Sequence, residues 1–245
     1  MKKNIAIYQD LGVGDFSLFS ARHFFKNHYV TTLSSKDIIS GVLTDEIDIF
    51  VMPGGADIPY CEKLNGKGNK AIRHYVEQGG LYLGLCAGAY YGCAAIEFQK
   101  DTATGICDKR ELGFFDGTGI GCLPDLTGER YKGDDSKAIM TDILIKGESY
   151  RCYYSGGCYF KPDNDSYIEI ARYENLDNNP LAIIEQKIGK GRALLSGVHF
   201  EVDSSCLSRY EFDNRFEQRQ AVQLRNDLER ADKSLNDYMR EYLDV

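Results

Sequence analysis

No segment of the 245 residues approaches the ~18 consecutive apolar positions of a membrane span, so no membrane association is expected. The 29 Lys and Arg residues form no cluster, and 37 Asp and Glu residues bring the net charge to -8. A phosphate backbone needs clustered cations, so a nucleic-acid partner is excluded. Eight cysteines (positions 61, 86, 93, 107, 122, 152, 158 and 206) include no CxxC pair, and no second histidine lies close to His199. No metal site follows from that spacing. Internal repeats and low-complexity linkers are also missing. Met1 to Tyr8 turns polar too soon for a secretory leader and reads as a first strand. With the cysteines read as reduced thiols rather than a disulfide framework, a cytoplasmic protein is expected.

What is present is ample core material, at 43% hydrophobic residues. Short apolar runs at 4–9, 29–33, 48–52, 81–85 and 193–197 read as buried strands, and the first four alternate with helical stretches. Ser17 to Asn27 is one such helix, with Ser17 as its expected N-cap; Asp37 to Leu43 and Lys70 to Gln78 are two more. This order predicts an α/β fold, a flavodoxin-like doubly wound, mostly parallel sheet with helices on both faces. Residues 97–135 lack periodicity and read as loops and short strands. Residues 138–146, 149–154, 167–173 and 181–187 read as strands at hairpin-like spacing. The stretch Tyr153 to Phe160 either lines a pocket or packs at a sheet edge.

The expected domain covers 1–209, and 210–245 forms a C-terminal amphipathic helix. Its stripe is Leu224, Leu228, Ala231, Leu235, Tyr238 and Tyr242. The stripe either docks on the domain or makes a homodimer contact. Asp10-Leu11-Gly12-Val13-Gly14-Asp15 has two glycines of a dinucleotide loop but not the third, and Asp15 would face a phosphate. It reads as a cleft-lining loop, and no cofactor is expected.

The chain is organised around Leu81-Tyr82-Leu83-Gly84-Leu85-Cys86-Ala87-Gly88. An apolar strand runs into a cysteine bracketed by two glycines and then a small-residue helix start. Glycines at those places permit a sharp strand-to-helix turn that exposes the residue at its tip. A helix N-terminus beside the sulfur favours thiolate. The bland reading is a buried small hydrophobe. A thiol nucleophile needs a base, and the base an orienting partner. His199, at the end of the last apolar strand, and Glu201 supply both. Residues two apart at a strand end point the same way, so Glu201 can reach the distal imidazole nitrogen. His23, His28 and His74 lie in or beside helices and read as surface or packing residues.

At these residues the chain resembles the class I glutamine amidotransferase-like superfamily, with its G-x-C-x-G elbow and H-x-E motif. Pro53-Gly54-Gly55-Ala56-Asp57-Ile58-Pro59-Tyr60, Leu64 to Asn69, Cys86 to Tyr91 and Gly189-Lys190-Gly191-Arg192 resemble a narrower group. That group is the amidotransferase-like domain at the N-terminus of eukaryotic biotin–protein ligases. The resemblance covers about residues 3–202 and leaves out the tail. It implies a nucleophile at Cys86, a base at His199 and an orienting acid at Glu201. Gly55 and Ala87 would supply the oxyanion donors, and Asp57, Tyr60, Asn65 and Tyr90 would contact substrate. Members that hydrolyse glutamine usually carry Gln where this chain has Tyr90, and often Pro where it has Phe200. The Gly189–Arg192 turn is too short for a ligase adenylate loop, so biotin transfer by this chain alone is not expected.

The expected function is therefore that of an amidotransferase-like cysteine hydrolase or acyl transferase acting on a small amide or acyl compound. The alternative is a non-catalytic ligand-binding or regulatory module that acts with a biotin–protein ligase.

Overall fold

The computed structural model describes residues 1–212 and 215–245. The chain runs β1 (Asn4–Tyr8), α1 (Asp15–Phe24), β2 (Tyr29–Leu33), α2 (Ser35–Ile39), β3 (Ile49–Met52), α3 (Asp57–Leu64) and α4 (Lys67–Glu77). It continues through β4 (Leu81–Leu85), α5 (Ala87–Gly92), β5 (Cys93–Phe98), β6 (Ile106–Lys109), β7 (Phe115–Gly121) and α6 (Pro124–Thr127). Then follow β8 (Ile139–Ile145), β9 (Glu148–Tyr154), β10 (Cys158–Pro162), β11 (Ile168–Tyr173), β12 (Leu181–Ile188) and β13 (Gly191–Ser196). Three helices close the chain: α7 (Ser204–Arg209), α8 (Arg215–Glu229) and α9 (Leu235–Leu243).

All thirteen strands join one mixed sheet. Its parallel block has the order β2-β1-β3-β4-β13. Beyond it β12 adds antiparallel to β13, and the sheet continues through β10, β7, β5 and β6, with β5 and β7 parallel. A branch of β11, β8 and β9 leaves from β12, every pairing antiparallel.

Successive strand residues face opposite sides of a sheet, and here both sides are covered. Ile5, Ile7, Ile49, Val51, Leu81 and Leu83 join one apolar cluster with Ala21 and Phe24 of α1 and Leu235, Met239 and Leu243 of α9. Ala6, Tyr8, Phe50, Met52 and Tyr82 join the other, under Ile38, Tyr60, Leu64, Ile72 and Val76 of α2, α3 and α4. Burial on both faces is why these strands read as unbroken apolar runs.

Local signals moved some boundaries. α1 begins at Asp15 with Gly14 at its N-cap, so Ser17 is not the cap; its hydroxyl accepts from the Gly54 amide at 2.8 Å. α2 starts at Ser35 because Ser34 and Asp37 form a capping box just before the expected start. The tail is two helices rather than one, broken before Ser234, whose hydroxyl caps α9 by accepting from the Asn236 amide. Leu224, Leu228 and Leu235 are buried as the stripe predicts, but after the break Met239 and Leu243 point inward more deeply than Tyr238 and Tyr242. Among the described residues, no helix is long and apolar enough to cross a membrane.

Candidate active site

The register of the parallel block brings four strand ends to one edge. Met52 of β3 lies beside Gly84 of β4, and Leu85 of β4 beside Ser196 of β13. Open α/β sheets bind ligands at this carboxyl edge. The loops after β1, β3, β4 and β13 all meet there.

Cys86 stands at the tip of the β4–α5 turn with φ 49° and ψ -104°, left-handed geometry that a side chain rarely adopts. The turn holds because its backbone is locked on both sides. The Cys86 amide donates to the Ser196 carbonyl at 2.9 Å, and the Gly88 amide to the Pro53 carbonyl at 3.1 Å. A Cβ on Gly88 would lie 2.0 Å from the Met52 carbonyl oxygen, so only glycine lets α5 approach β3 this closely. The Cys86 thiol donates to the Ser155 carbonyl at 3.4 Å. The cysteine is 7% exposed, enough to line both cavities at this edge.

His199 reaches the same place from β13. The strand ends at Ser196, so His199 and Glu201 lie on a turn rather than on the strand itself. The turn is fixed by the Ser196 hydroxyl donating to the Val198 carbonyl at 2.7 Å and the His199 amide to the Tyr153 carbonyl at 3.0 Å. His199 Nδ1 then meets Glu201 Oε1 at 2.8 Å, and Glu201 is fully buried. Gly54 wedges between the Cys86 and His199 side chains: a Cβ there would lie 2.8 Å from His199 Cε1 and 3.3 Å from Cys86 Cβ. Burial pushes the imidazole toward its neutral form, but the Glu201 carboxylate and the Cys86 sulfur outweigh it. The result is a His199 proton affinity well above the ordinary histidine range.

Gly55 and Ala87 line the same cavity as Cys86. Gly55 has φ 142°, and its neighbours Gly54 and Ala56 carry the hydrogen bonds to the β1 loop. Among the described residues, neither the Gly55 nor the Ala87 amide donates a hydrogen bond.

The four expected substrate contacts divide. Tyr90 and Asp57 line a cavity beside Cys86. The Tyr90 hydroxyl donates to the Gly156 carbonyl at 3.3 Å, and the Asp57 carboxylate accepts from Arg110 Nε at 2.6 Å. Tyr60 and Asn65 require correction, because neither lines a cavity with Cys86. Tyr60 is wholly buried, and its hydroxyl faces the Pro53 and Gly54 carbonyls at 3.2 and 3.3 Å, supporting the loop from below. Asn65 is exposed at the end of α3, its side-chain oxygen accepting from Asn69.

Sequence reasoning missed Tyr131, which lines both cavities, and Arg110, which is buried in an ion pair with Asp57. Both come from the aperiodic 97–135 region, where spacing carries no signal. The Tyr153–Phe160 stretch lines a pocket, but its β10 part does not pack at a sheet edge, because β10 is paired on both sides, by β12 and β7. Ser155 and Gly156 line cavities, while Cys158 and Phe160 are core. Of the other histidines, His23 is buried near Asp203 and Cys206, with ligand atoms within 4.8 Å of one another. It is already engaged by the Ser205 hydroxyl at 2.7 Å, and Asp203 caps α7.

Comparison with known proteins fits this geometry. The sequence model of the family described as "Biotin-protein ligase, N terminal" matches residues 3–245, which takes in the tail as well. The chain belongs to that family. An uncharacterized protein of Chlamydia muridarum is 34% identical over 212 residues, 81% of this chain and 80% of that protein. The biotin–protein ligase of Schizosaccharomyces pombe is 36% identical over 162 residues, 62% of this chain but only 25% of the ligase. Among solved structures, a glutamine amidotransferase of Thermotoga maritima superposes with a TM-score of 0.58 at 14% identity, covering 100% of this chain and 97% of its own. A second glutamine amidotransferase gives 0.56 at 16% identity, covering 90% and 98%. At such identities the likeness is one of fold: this biotin–protein ligase N-terminal domain has the class I glutamine amidotransferase-like fold.

Proposed function

We propose that this chain is a cysteine hydrolase or acyl transferase of the amidotransferase-like type, acting on a small amide or acyl compound. The observation that carries the reading is the meeting of Cys86, His199 and Glu201 at one sheet edge, where Cys86 lines a cavity with Gly55 and Ala87, whose amides donate no hydrogen bond among the described residues. In this reading His199, whose raised proton affinity lets it hold the Cys86 proton, leaves the sulfur as thiolate, and the thiolate attacks the substrate carbonyl carbon. A C–S bond forms, and the carbonyl oxygen takes negative charge facing the Gly55 and Ala87 amides. Collapse breaks the C–N bond, and His199 gives the proton to the departing amine. Water then attacks the thioester, its proton going to His199. The C–S bond breaks, the acid leaves and the sulfur is again a thiolate beside the protonated His199. An amine in place of water gives acyl transfer. Glu201 orients the imidazole and stabilises its charged form. The eight unpaired cysteines fit a reducing compartment, and we assign the chain to the cytoplasm.

The test is an acyl adduct. Incubation with amides should add an acyl mass at Cys86 that hydroxylamine removes, and Cys86→Ala should acquire none. Wild-type protein that stays unmodified, with a Cys86 no more reactive than an ordinary thiol, would overturn the reading. The second reading, a non-catalytic ligand-binding or regulatory module working with a biotin–protein ligase, draws on Tyr90. Its ring fills the position where glutamine-hydrolysing relatives usually carry Gln, and the chain matches part of a ligase.

A further inference from the structure

Cys86 stands where two unlike cavities join, and Gly55, Ala56 and Tyr131 are shared by both. The first has a volume of about 160 Å³ and is walled by Ile58, Tyr90, Ile96, Phe98, Ile106 and Tyr131. Its one ionisable carboxylate is Asp57, already tied to Arg110 at 2.6 Å. The second is a wider cleft that contains His199 and is walled by Asp15, Asp134, Asp135 and Glu217 together with the rings of Phe16, Tyr153, Tyr210 and Phe212. The four carboxylates hold water in the cleft, so an apolar group gains less there than in the first cavity, whose carboxylate is paired. It gains by leaving water for the first cavity, whose wall is mostly apolar.

We infer that the first cavity is the acyl pocket, and that the substrates are amides or esters of apolar carboxylic acids of medium chain length. The inference rests on the reading of Cys86 as nucleophile and names its substrate class. The acyl chain lies between Tyr90 and Ile106 with its carbonyl at Cys86, and the amine or alcohol part leaves through the cleft beside His199. Glutamine fits this pocket badly. Its α-ammonium and α-carboxylate would lose their hydration with no free charged partner in the wall, which is costly. Ile58, 43% exposed at the mouth, continues the apolar surface to the outside.

The test is a chain-length series of p-nitroanilides (acetyl, butanoyl, hexanoyl and γ-glutamyl) with wild-type protein. Alongside it runs calorimetric binding of the matching simple amides to Cys86→Ala. Each buried methylene should raise kcat/KM about three- to fourfold, so hexanoyl should exceed acetyl on the order of a hundredfold. The γ-glutamyl compound should be the poorest. In Ile106→Glu, with folding checked by circular dichroism, the preference should shrink at least tenfold, because a carboxylate then stands in the pocket. Equal turnover across the series, or preference for γ-glutamyl, overturns the inference and leaves the nucleophile reading intact. Chain-length-dependent binding to Cys86→Ala without any turnover by wild type supports the pocket and overturns the catalytic reading. Absence of both binding and turnover overturns the pocket assignment.

Discussion

Glu201 Oε1 lies 2.8 Å from His199 Nδ1, and the carboxylate is closed off from solvent by the same turn that carries the imidazole. Burial opposes a charged imidazole, and the Glu201 carboxylate is the main influence that reverses it. Glu201→Gln should therefore bring the His199 titration, followed by NMR of the ring protons, down toward or below the ordinary histidine value of about 6.5. Linkage gives the sign of the stability effect. A histidine whose folded-state pKa is raised contributes stability fully below its unfolded value of about 6.5, and the contribution is lost as pH rises through the folded value. Wild-type unfolding free energy from urea titrations should thus decline over that window, and in Glu201→Gln the slope should flatten. An unchanged His199 titration in the variant would remove Glu201 from the role given to it.

Thiol labelling separates the site from the remaining cysteines. Burial pushes the Cys61 thiol up to about 11 and the Cys206 thiol up to about 12, and drives Cys93, Cys152 and Cys158 well above the ordinary thiol range. At pH 8 these five should label with iodoacetamide only on unfolding. Exposed Cys107 should label at an ordinary rate. Cys86 should label faster than Cys107, by at least tenfold, and His199→Ala should remove that advantage. Mass spectrometry of the digested, time-quenched protein reads each site.

Much of this was legible in the sequence, for identifiable reasons. Strands buried on both faces leave unbroken apolar runs, so β1, β3, β4 and β13 were found to within two residues. The elbow could be read because Gly84 and Gly88 are forced by close backbone approach, a constraint no other residue satisfies. The His199–Glu201 contact was anticipated from a strand geometry that is not there; the turn beginning at Gly197 produces it instead. Tyr60 and Asn65 were misplaced because a residue's nearness to a functional loop does not say whether it faces the cavity or the core. Arg110 and Tyr131 come from chain without periodicity, where only the folded structure brings Arg110 to Asp57 and Tyr131 to Phe98.

The backbone at Cys86 carries a cost that two substitutions can isolate. Both Cys86→Ala and Cys86→Gly remove the sulfur, but only glycine adopts φ 49° freely. A non-glycine residue held in such a region costs on the order of 1–3 kcal/mol. Cys86→Gly should therefore unfold at higher urea concentration than Cys86→Ala, by about 1 kcal/mol once glycine's greater unfolded-state entropy is set against the relief. Equal stability of the two variants would mean that the elbow stores no strain.

The Asp57–Arg110 pair should matter to the fold more than to the chemistry. Arg110 is 5% and Asp57 8% exposed, and the Nε to Oδ2 contact is 2.6 Å. Nη1 of the same guanidinium also reaches the Lys109 carbonyl at 3.0 Å, fixing the end of β6. Removing Arg110 leaves Asp57 buried and unanswered, and removing Asp57 leaves Arg110, among the described residues, only the exposed Asp108 at 3.5 Å to pair with, each at a cost of about 3 kcal/mol. Asp57→Asn and Arg110→Met should each lower stability by that amount. The double variant should recover a large part of it, because no unpaired charge then remains inside. A double-mutant cycle of urea unfolding measures the coupling. Costs that simply add would mean that water already reaches the pair, and that the wall of the cavity beside Cys86 is wetter than its apolar lining implies.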